Sequence, residues 1–236
     1  MNLKIVKGNI VNSTADAIVL PANTQLKEGP GASAAIFQAA GKKELTAACK
    51  KIGHCEVGAA TATLAYNLPS KYIIHAVVPK WNDGKHHEYA LLSSAYISSM
   101  QAADMLEAES IAFPLLASGN NGFDVNVAFE IAEKSITSYD AKHVKEAVLV
   151  LFSENLLSLA ENAGYEWSVL PEHINMGLIK ERKGDTDITE RKAVGIVDAL
   201  KTYWNNEKNR EKIFNAGLSI ATAAINAVLF KGKKKK

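Results

Sequence analysis

Apolar and polar positions along the chain follow two alternating periods. Residues 3–8 (LKIVKG), 16–20 (DAIVL), 57–66 (VGAATATLAY), 71–79 (KYIIHAVVP), 110–117 (SIAFPLLA) and 147–152 (AVLVLF) are short apolar runs of strand length. Asn67, Leu68, Pro69 and Ser70 supply a turn between the third and fourth. Helical spacing fills the intervals. It covers residues 33–41 and 43–52, and residues 86–106, where Leu91, Leu92, Ala95, Tyr96, Met100 and Ala103 recur on turns of a helix. It returns before Tyr139 and again over 153–164, with Ser153 placed to cap. Strands alternating with helices predict an α/β fold: a three-layer α/β/α sandwich with a mixed, largely parallel central sheet.

Two loops stand out against this pattern. After the buried run Ile18, Val19, Leu20 comes a polar turn with Asn23, then Gly29, Pro30, Gly31, Ala32 and Ser33, leading into a helix closed by Gly41. After 110–117 comes Ser118, Gly119, Asn120, Asn121, Gly122, Phe123, again before a helix. The first turns of helices leave backbone N–H groups unpaired, and small side chains let an anion reach them. Ligands of such sheets sit beyond the carboxyl ends of the strands. Two such loops facing one gap suit a diphosphate, while a pair of ordinary strand-to-helix connections is the plainer alternative.

Composition divides the chain. Of 236 residues, 47% are hydrophobic, ample for a core. Residues 1–164 hold 13 Lys and no Arg against 16 acids, net −3, whereas 165–236 hold 14 basic residues against 9 acids, net +5. A domain of residues 1–164 and a basic extension of 165–236 are expected. Residues 1–9 carry no secretory pattern and Cys49 and Cys55 form no disulfide framework, which points to a cytoplasmic protein with idle thiols.

In the extension, Ala193, Ile196, Val197, Leu200, Tyr203 and Trp204 mark one apolar face of a helix, with Thr189 as cap. Residues 213–230 are eighteen positions without a charge, followed by KGKKKK. This helix packs on the domain or a partner chain, or lies on or in a membrane with its lysines against anionic lipid, or precedes a tail that attracts nucleic acid without sequence specificity. The expectation is a partner protein or membrane through residues 189–236, and no specific nucleic acid.

The ordered blocks KGNI, DAIVLPANTQL, GPGASAAIFQAAG, CEVGAATAT, YIIHAVVPKW, SIAFPLLASGNNGF and VLVLF resemble the macro domain, an ADP-ribose-recognising module, over about residues 2–160. The resemblance implies that Asn23 reads the distal ribose and that Gly29, Gly31 and Ala32 face ribose and diphosphate. It also implies that Ser118, Gly119, Asn120, Asn121 and Gly122, with Phe123 beside them, wrap the diphosphate, and that Phe152 stacks on the base. Ile10 and Ser33 fall within the same ligand-binding set, and no cofactor or metal is implied.

Departures from the family pattern bear on strength and chemistry. Asn9 stands where tight binders carry an aspartate that accepts from the adenine amino group, so weaker adenine binding is expected. Ser33 stands where hydrolytic members carry an aspartate, and Phe37 where a histidine often follows. A neutral hydroxyl is a poor general base near pH 7. The chain therefore reads as a binder of free or protein-linked ADP-ribose. The alternative is a mono-ADP-ribosyl-protein hydrolase or O-acetyl-ADP-ribose deacetylase, with Asn23 and Glu28 as its catalytic candidates.

Other chemistry is set aside. His75 sits within an apolar strand pattern, adjacent His86 and His87 point apart on a helix, and His54 with Cys55 lacks partners at zinc spacing. There is no nucleophile-elbow pattern.

Overall fold

The computed structural model describes residues 1–172 and 186–233. The last lysines, 234–236, lie outside the described residues. The sheet has seven strands: β1 (Asn2–Lys7), β2 (Ala17–Ala22), β3 (Ala60–Leu64), β4 (Tyr72–Val77), β5 (Ser110–Pro114), β6 (Glu146–Leu151) and β7 (Trp167–Val169). Their order is β3-β4-β2-β5-β6-β1-β7. Among the described residues only the β3–β4 pairing is antiparallel, so the mixed, largely parallel sheet expected from the alternation is present.

Period-two alternation splits the strand side chains between two cores. Ile18, Leu20, Ile73, Val148 and Val150 pack with Ile36, Phe37 and Leu45 from α1 (Ala32–Ala40) and α2 (Lys42–Ile52). Val19, Ile74, Ile111, Phe113 and Leu149 pack with Tyr96, Met100, Phe129 and Ile131 from α3 (Glu88–Met105) and α4 (Val125–Thr137). A short helix α5 (Leu157–Asn162) adds Leu157 and Ala160 to that second core.

Beyond these layers lie α6 (Thr186–Asn205) and α7 (Glu207–Lys233). Helix α6 packs on the edge strand β3, with Ile196 and Leu200 buried, covering an end of the sheet that would otherwise invite pairing with another chain. Helix α7 packs on α3 and α4 through Ile213, Gly217, Ala221 and Ala224. At Gly217 a Cβ would stand 2.6 Å from the Ala90 carbonyl oxygen and 2.7 Å from Ser94 Oγ, so glycine is what lets the two helices meet.

Helix α3 is therefore buried nearly all round. Its serines satisfy themselves inside the protein: Ser94 and Ser99 donate to the carbonyls of Ala90 and Ala95, Ser98 to those of Ser94 and Gly58, and Ser93 pairs with Ser135 of α4. Of the readings open for the extension, packing on the domain is the one the structure contains. Among the described residues no helix is long and apolar enough to cross a membrane, and the apolar stripe of α7 is already occupied.

Some local expectations differ. β7 has no counterpart in the sequence pattern: three exposed residues are too short to show a period, and β7 exists by pairing with β1, Ile5 opposite Trp167. The sheet thus continues beyond residue 164. Ser153 precedes a 3-10 turn (Glu154–Leu156) but accepts no capping bond, and Thr189 falls inside α6.

Candidate functional site

Strands β2, β5, β6 and β1 are neighbours and parallel, so their carboxyl ends open on one edge of the sheet. The residues just past each strand line one cleft of about 670 Å³: Ala22 and Asn23 at the end of β2, Leu115 and Ala117 to Asn121 after β5, Phe152 after β6, and Gly8 to Ile10 after β1. At roughly 4.8 Å per strand, the distance from β2 to β1 is about 14 Å. Asn23 and Asn9 therefore stand at opposite ends, with the β5 loop between.

The first loop closes the cleft from the α1 side. Gly29, Gly31, Ala32 and Ser33 all line it. Gly31 has φ +67° and ψ −132°, a conformation that only glycine adopts at low strain. Helix α1 has no side-chain cap, and its backbone ladder begins with the Ala35 N–H donating to the Gly31 carbonyl. The N–H groups of Ala32 and Ser33 are left without protein acceptors among the described residues. Ser33 is buried, and its Oγ accepts the Gly29 N–H at 3.0 Å. One lone pair of the hydroxyl at that position is thus committed to holding the loop.

Asn23 is similarly engaged. Its Oδ1 accepts from the N–H groups of Gln25 (3.2 Å) and Lys27 (3.1 Å), and its Nδ2 donates to the Lys27 carbonyl at 2.7 Å. Both oxygen lone pairs are taken, leaving one N–H for the cleft.

The second loop leaves β5 through Ala117, whose φ of +63° turns the backbone sharply. Its Ser118, Gly119, Asn120 and Asn121 line the cleft, and their backbone N–H groups have no protein acceptor among the described residues. The loop is held from behind. Gly122 N–H donates to the Gly119 carbonyl, Asn121 Nδ2 to the Pro79 carbonyl at 2.9 Å, and Trp81 N–H to the Asn121 carbonyl at 2.8 Å. Tyr96, buried in α3, accepts the Leu116 N–H through its hydroxyl at 2.8 Å. Gly122 and Phe123, expected with the ligand, are outside the lining. Phe123 is buried against Trp81 (ring centroids 5.3 Å) and Tyr89 (5.9 Å), because the chain turns inward there to enter α4.

Phe152 is 75% exposed and lines the cleft with Leu156. A phenylalanine this exposed at the end of a core strand offers a flat apolar face to a planar group. β1 and β6 run in register with Lys7 opposite Leu151, so Gly8 lies opposite Phe152 and Asn9 one residue beyond.

Lys80 is the charged side chain of the lining, and no carboxylate lines the cleft among the described residues. With two sets of unpaired N–H groups, this is a place for an anion. Glu28 is not in the lining; its carboxylate pairs with Lys42 Nζ at 2.6 Å. Lys80 was missed by sequence reading, although its position just past β4 is the signal that marks the other lining residues.

Elsewhere, burial drives the His75 pKa down to about 3. Its Nε2 meets Thr63 Oγ1 at 2.9 Å while Nδ1 has no partner, so it is a neutral core residue. Burial pushes the Cys49 and Cys55 thiols up to about 11 and about 12, which keeps both protonated. Asp83, His86 and Glu88 cluster within 4.8 Å. Burial opposes ionisation of Glu88, but N–H donors from its own residue, His86, Asp83 and Gly84 outweigh that and hold its carboxyl at about 2. Its oxygens thereby fasten the turn ahead of α3.

Known proteins resemble the chain in both sequence and fold. The family model described as Macro domain matches residues 19–132. A macro domain-containing protein of Caldanaerobacter subterraneus is 44% identical over 156 residues, 64% of this chain and 89% of that protein. A protein of Escherichia fergusonii named O-acetyl-ADP-ribose deacetylase is 40% identical over 145 residues, 60% of this chain and 81% of its own. The Oceanobacillus iheyensis macrodomain with ADP superposes with a TM-score of 0.64 at 32% identity, covering 68% of this chain and 88% of that one. A glycine-to-valine variant of it, with ADPR, gives 0.63 at 30% identity, covering 68% and 90%.

Proposed function

The chain belongs to the macro domain family, and on that premise we propose that it binds ADP-ribose or an ADP-ribose derivative, free or protein-linked, as a reader or sensor. The observation that carries this reading is the pair of loops whose unpaired N–H groups face one carboxylate-free cleft. The diphosphate lies between them near Lys80, each N–H donating to an anionic oxygen, a charge-assisted bond about twice as strong as a neutral one. The base stacks on Phe152. At the far end Asn23 donates its remaining N–H to the distal ribose. Its oxygen, turned to Gln25 and Lys27, shapes the turn that places it. ADP and ADPR in the Oceanobacillus iheyensis structures support this ligand class.

Calorimetry with ADP-ribose, ADP and AMP tests the reading. ADP-ribose binds tightest and AMP weakest if the loops hold the diphosphate and Asn23 the ribose. Equal affinities remove the role of Asn23, and no heat with any of the three overturns the proposal.

The deacetylase name of the Escherichia fergusonii relative supports a second reading, an enzyme acting on ADP-ribose esters or conjugates. Against it stands the absence of a general base in the lining among the described residues: Ser33 Oγ is engaged by Gly29, and Glu28 by Lys42. Incubation with O-acetyl-ADP-ribose and with mono-ADP-ribosylated protein separates the two. Turnover abolished by Glu28→Gln or Asn23→Ala establishes the enzyme.

Placement in the cytoplasm belongs to the same proposal and agrees with two cysteines held as thiols. A partner protein would engage the outer surface of α6 and α7, the inner surface being spent on the domain.

A further inference from the structure

Asn9 is placed to read the base. Strand order fixes the direction in which a base would lie. The diphosphate loops follow β2 and β5, Phe152 follows β6, and Asn9 follows β1, the next strand outward. A purine stacked on Phe152 with its sugar toward the loops turns the opposite edge toward β1. That edge carries the substituent at position 6.

The groups waiting there are donors. Asn9 Oδ1 accepts the Val11 N–H at 3.3 Å, which fixes the oxygen end of the carboxamide toward the 3-10 turn Ile10–Asn12. Asn9 Nδ2 has no acceptor among the described residues, and neither has the neighbouring Ile10 N–H; both residues line the cleft. A 6-amino purine brings a donor at position 6 and an acceptor at N1, and a 6-oxo purine an acceptor at position 6 and a donor at N1, so the two bases exchange which of these N–H groups they satisfy. An N–H facing an amino group is an unpaired donor beside another donor, whereas an N–H facing a carbonyl is a hydrogen bond.

We infer that this cleft takes 6-oxopurine nucleoside diphosphate sugars about as well as the adenine compound, because Asn9 presents its amide N–H to position 6 of the base. The inference rests on the ADP-ribose reading above for the placing of phosphates and base. It makes Asn9 a specificity-determining residue: an aspartate there would accept from adenine and repel a carbonyl.

The test is calorimetry of the intact chain with ADP-ribose and with its hypoxanthine counterpart, which differs in a carbonyl for the amino group and the proton this places on N1. Both ligands are then measured against Asn9→Asp. The variant keeps an oxygen for the Val11 N–H, and its unfolding midpoint reports that the fold is intact. The expected result is a hypoxanthine affinity within about threefold of that for adenine. In Asn9→Asp the ratio moves toward adenine by about tenfold or more, a tenfold change being about 1.4 kcal/mol. A wild-type preference for ADP-ribose of about tenfold, or an unchanged ratio in the variant, overturns the inference and leaves the ADP-ribose reading standing. Binding of neither ligand overturns both.

Discussion

Ser33 Oγ accepts the Gly29 N–H at 3.0 Å across the mouth of the first loop. The hydroxyl is buried beneath the loop, so this bond ties the residue that opens the small-residue run to the first turn of α1. Ser33→Ala removes the acceptor and leaves the Gly29 N–H to wander or to compete for ligand oxygens. A hydrogen bond of this kind contributes about 0.5–1.5 kcal/mol. The expected outcome is a few-fold weaker ADP-ribose binding by calorimetry. Any turnover of O-acetyl-ADP-ribose should fall no further than binding does; a selective loss of kcat would make Ser33 part of a catalytic apparatus.

Phe152 gives a prediction of opposite structural weight. It is largely exposed, so Phe152→Ala should leave the unfolding midpoint nearly unchanged. Stacking of a base on an aromatic ring is worth roughly 1–3 kcal/mol, so ADP-ribose binding should weaken by about five- to 150-fold. Binding of ribose 5-phosphate, which has no base, should not respond. Equal losses for both ligands would mean that Phe152 shapes the cleft instead of holding a base.

The legible parts of this molecule are those where one residue type answers one physical demand. Apolar runs such as residues 147–151 had to be buried strands, and the glycines at 29, 31, 119 and 122 had to be loops. The engagement of Asn23 and Ser33 by their own loop was not legible, because a hydrogen-bond partner four residues away is a matter of dihedral angles rather than composition. Phe123 misled for a similar reason: adjacency to Gly122 suggested the cleft, but its direction is set by Trp81 and Tyr89 from distant segments. The covering of α3 by α7 did leave a trace. Ser93, Ser94, Ser98 and Ser99 lie on that helix and none is exposed; such a run of small polar residues admits a second helix once each hydroxyl has an acceptor.

Gly217 is where that covering is most exacting. Any Cβ there meets the Ala90 carbonyl at 2.6 Å and the Ser94 backbone N at 3.2 Å, atoms of a helix that is itself packed on the sheet. Overpacking of this kind costs about 1–3 kcal/mol. Gly217→Val should therefore lower the unfolding midpoint by several degrees, at about 2–4 °C per kcal/mol for a chain of this size. ADP-ribose affinity should be unchanged at temperatures well below the transition, since among the described residues none of α7 lines the cleft. An unaltered midpoint would mean that α7 detaches from α3 without consequence for the domain.

His75 sets the acid side of stability. It is fully buried on β4 and its pKa is depressed by burial from 6.5 to about 3. The unfolded chain therefore binds a proton that the folded one excludes once the pH drops below about 6.5. Stability is complete above that value and declines as the pH falls toward 3, by about 1.4 kcal/mol per unit, or about 2 kcal/mol at pH 5. Asp104 acts in a separate, lower window. Burial opposes its ionisation, but N–H groups of Lys142, His143 and Val144 and the Tyr139 hydroxyl hold its pKa below 3.8. Its contribution is present above 3.8 and lost as the pH falls through the folded value. Urea midpoints at pH 7.5 and pH 5 test the histidine apart from Asp104, whose window lies below both values. His75→Asn should flatten the difference even if the variant is less stable at both values; a pH response equal to wild type would place the titrating group elsewhere.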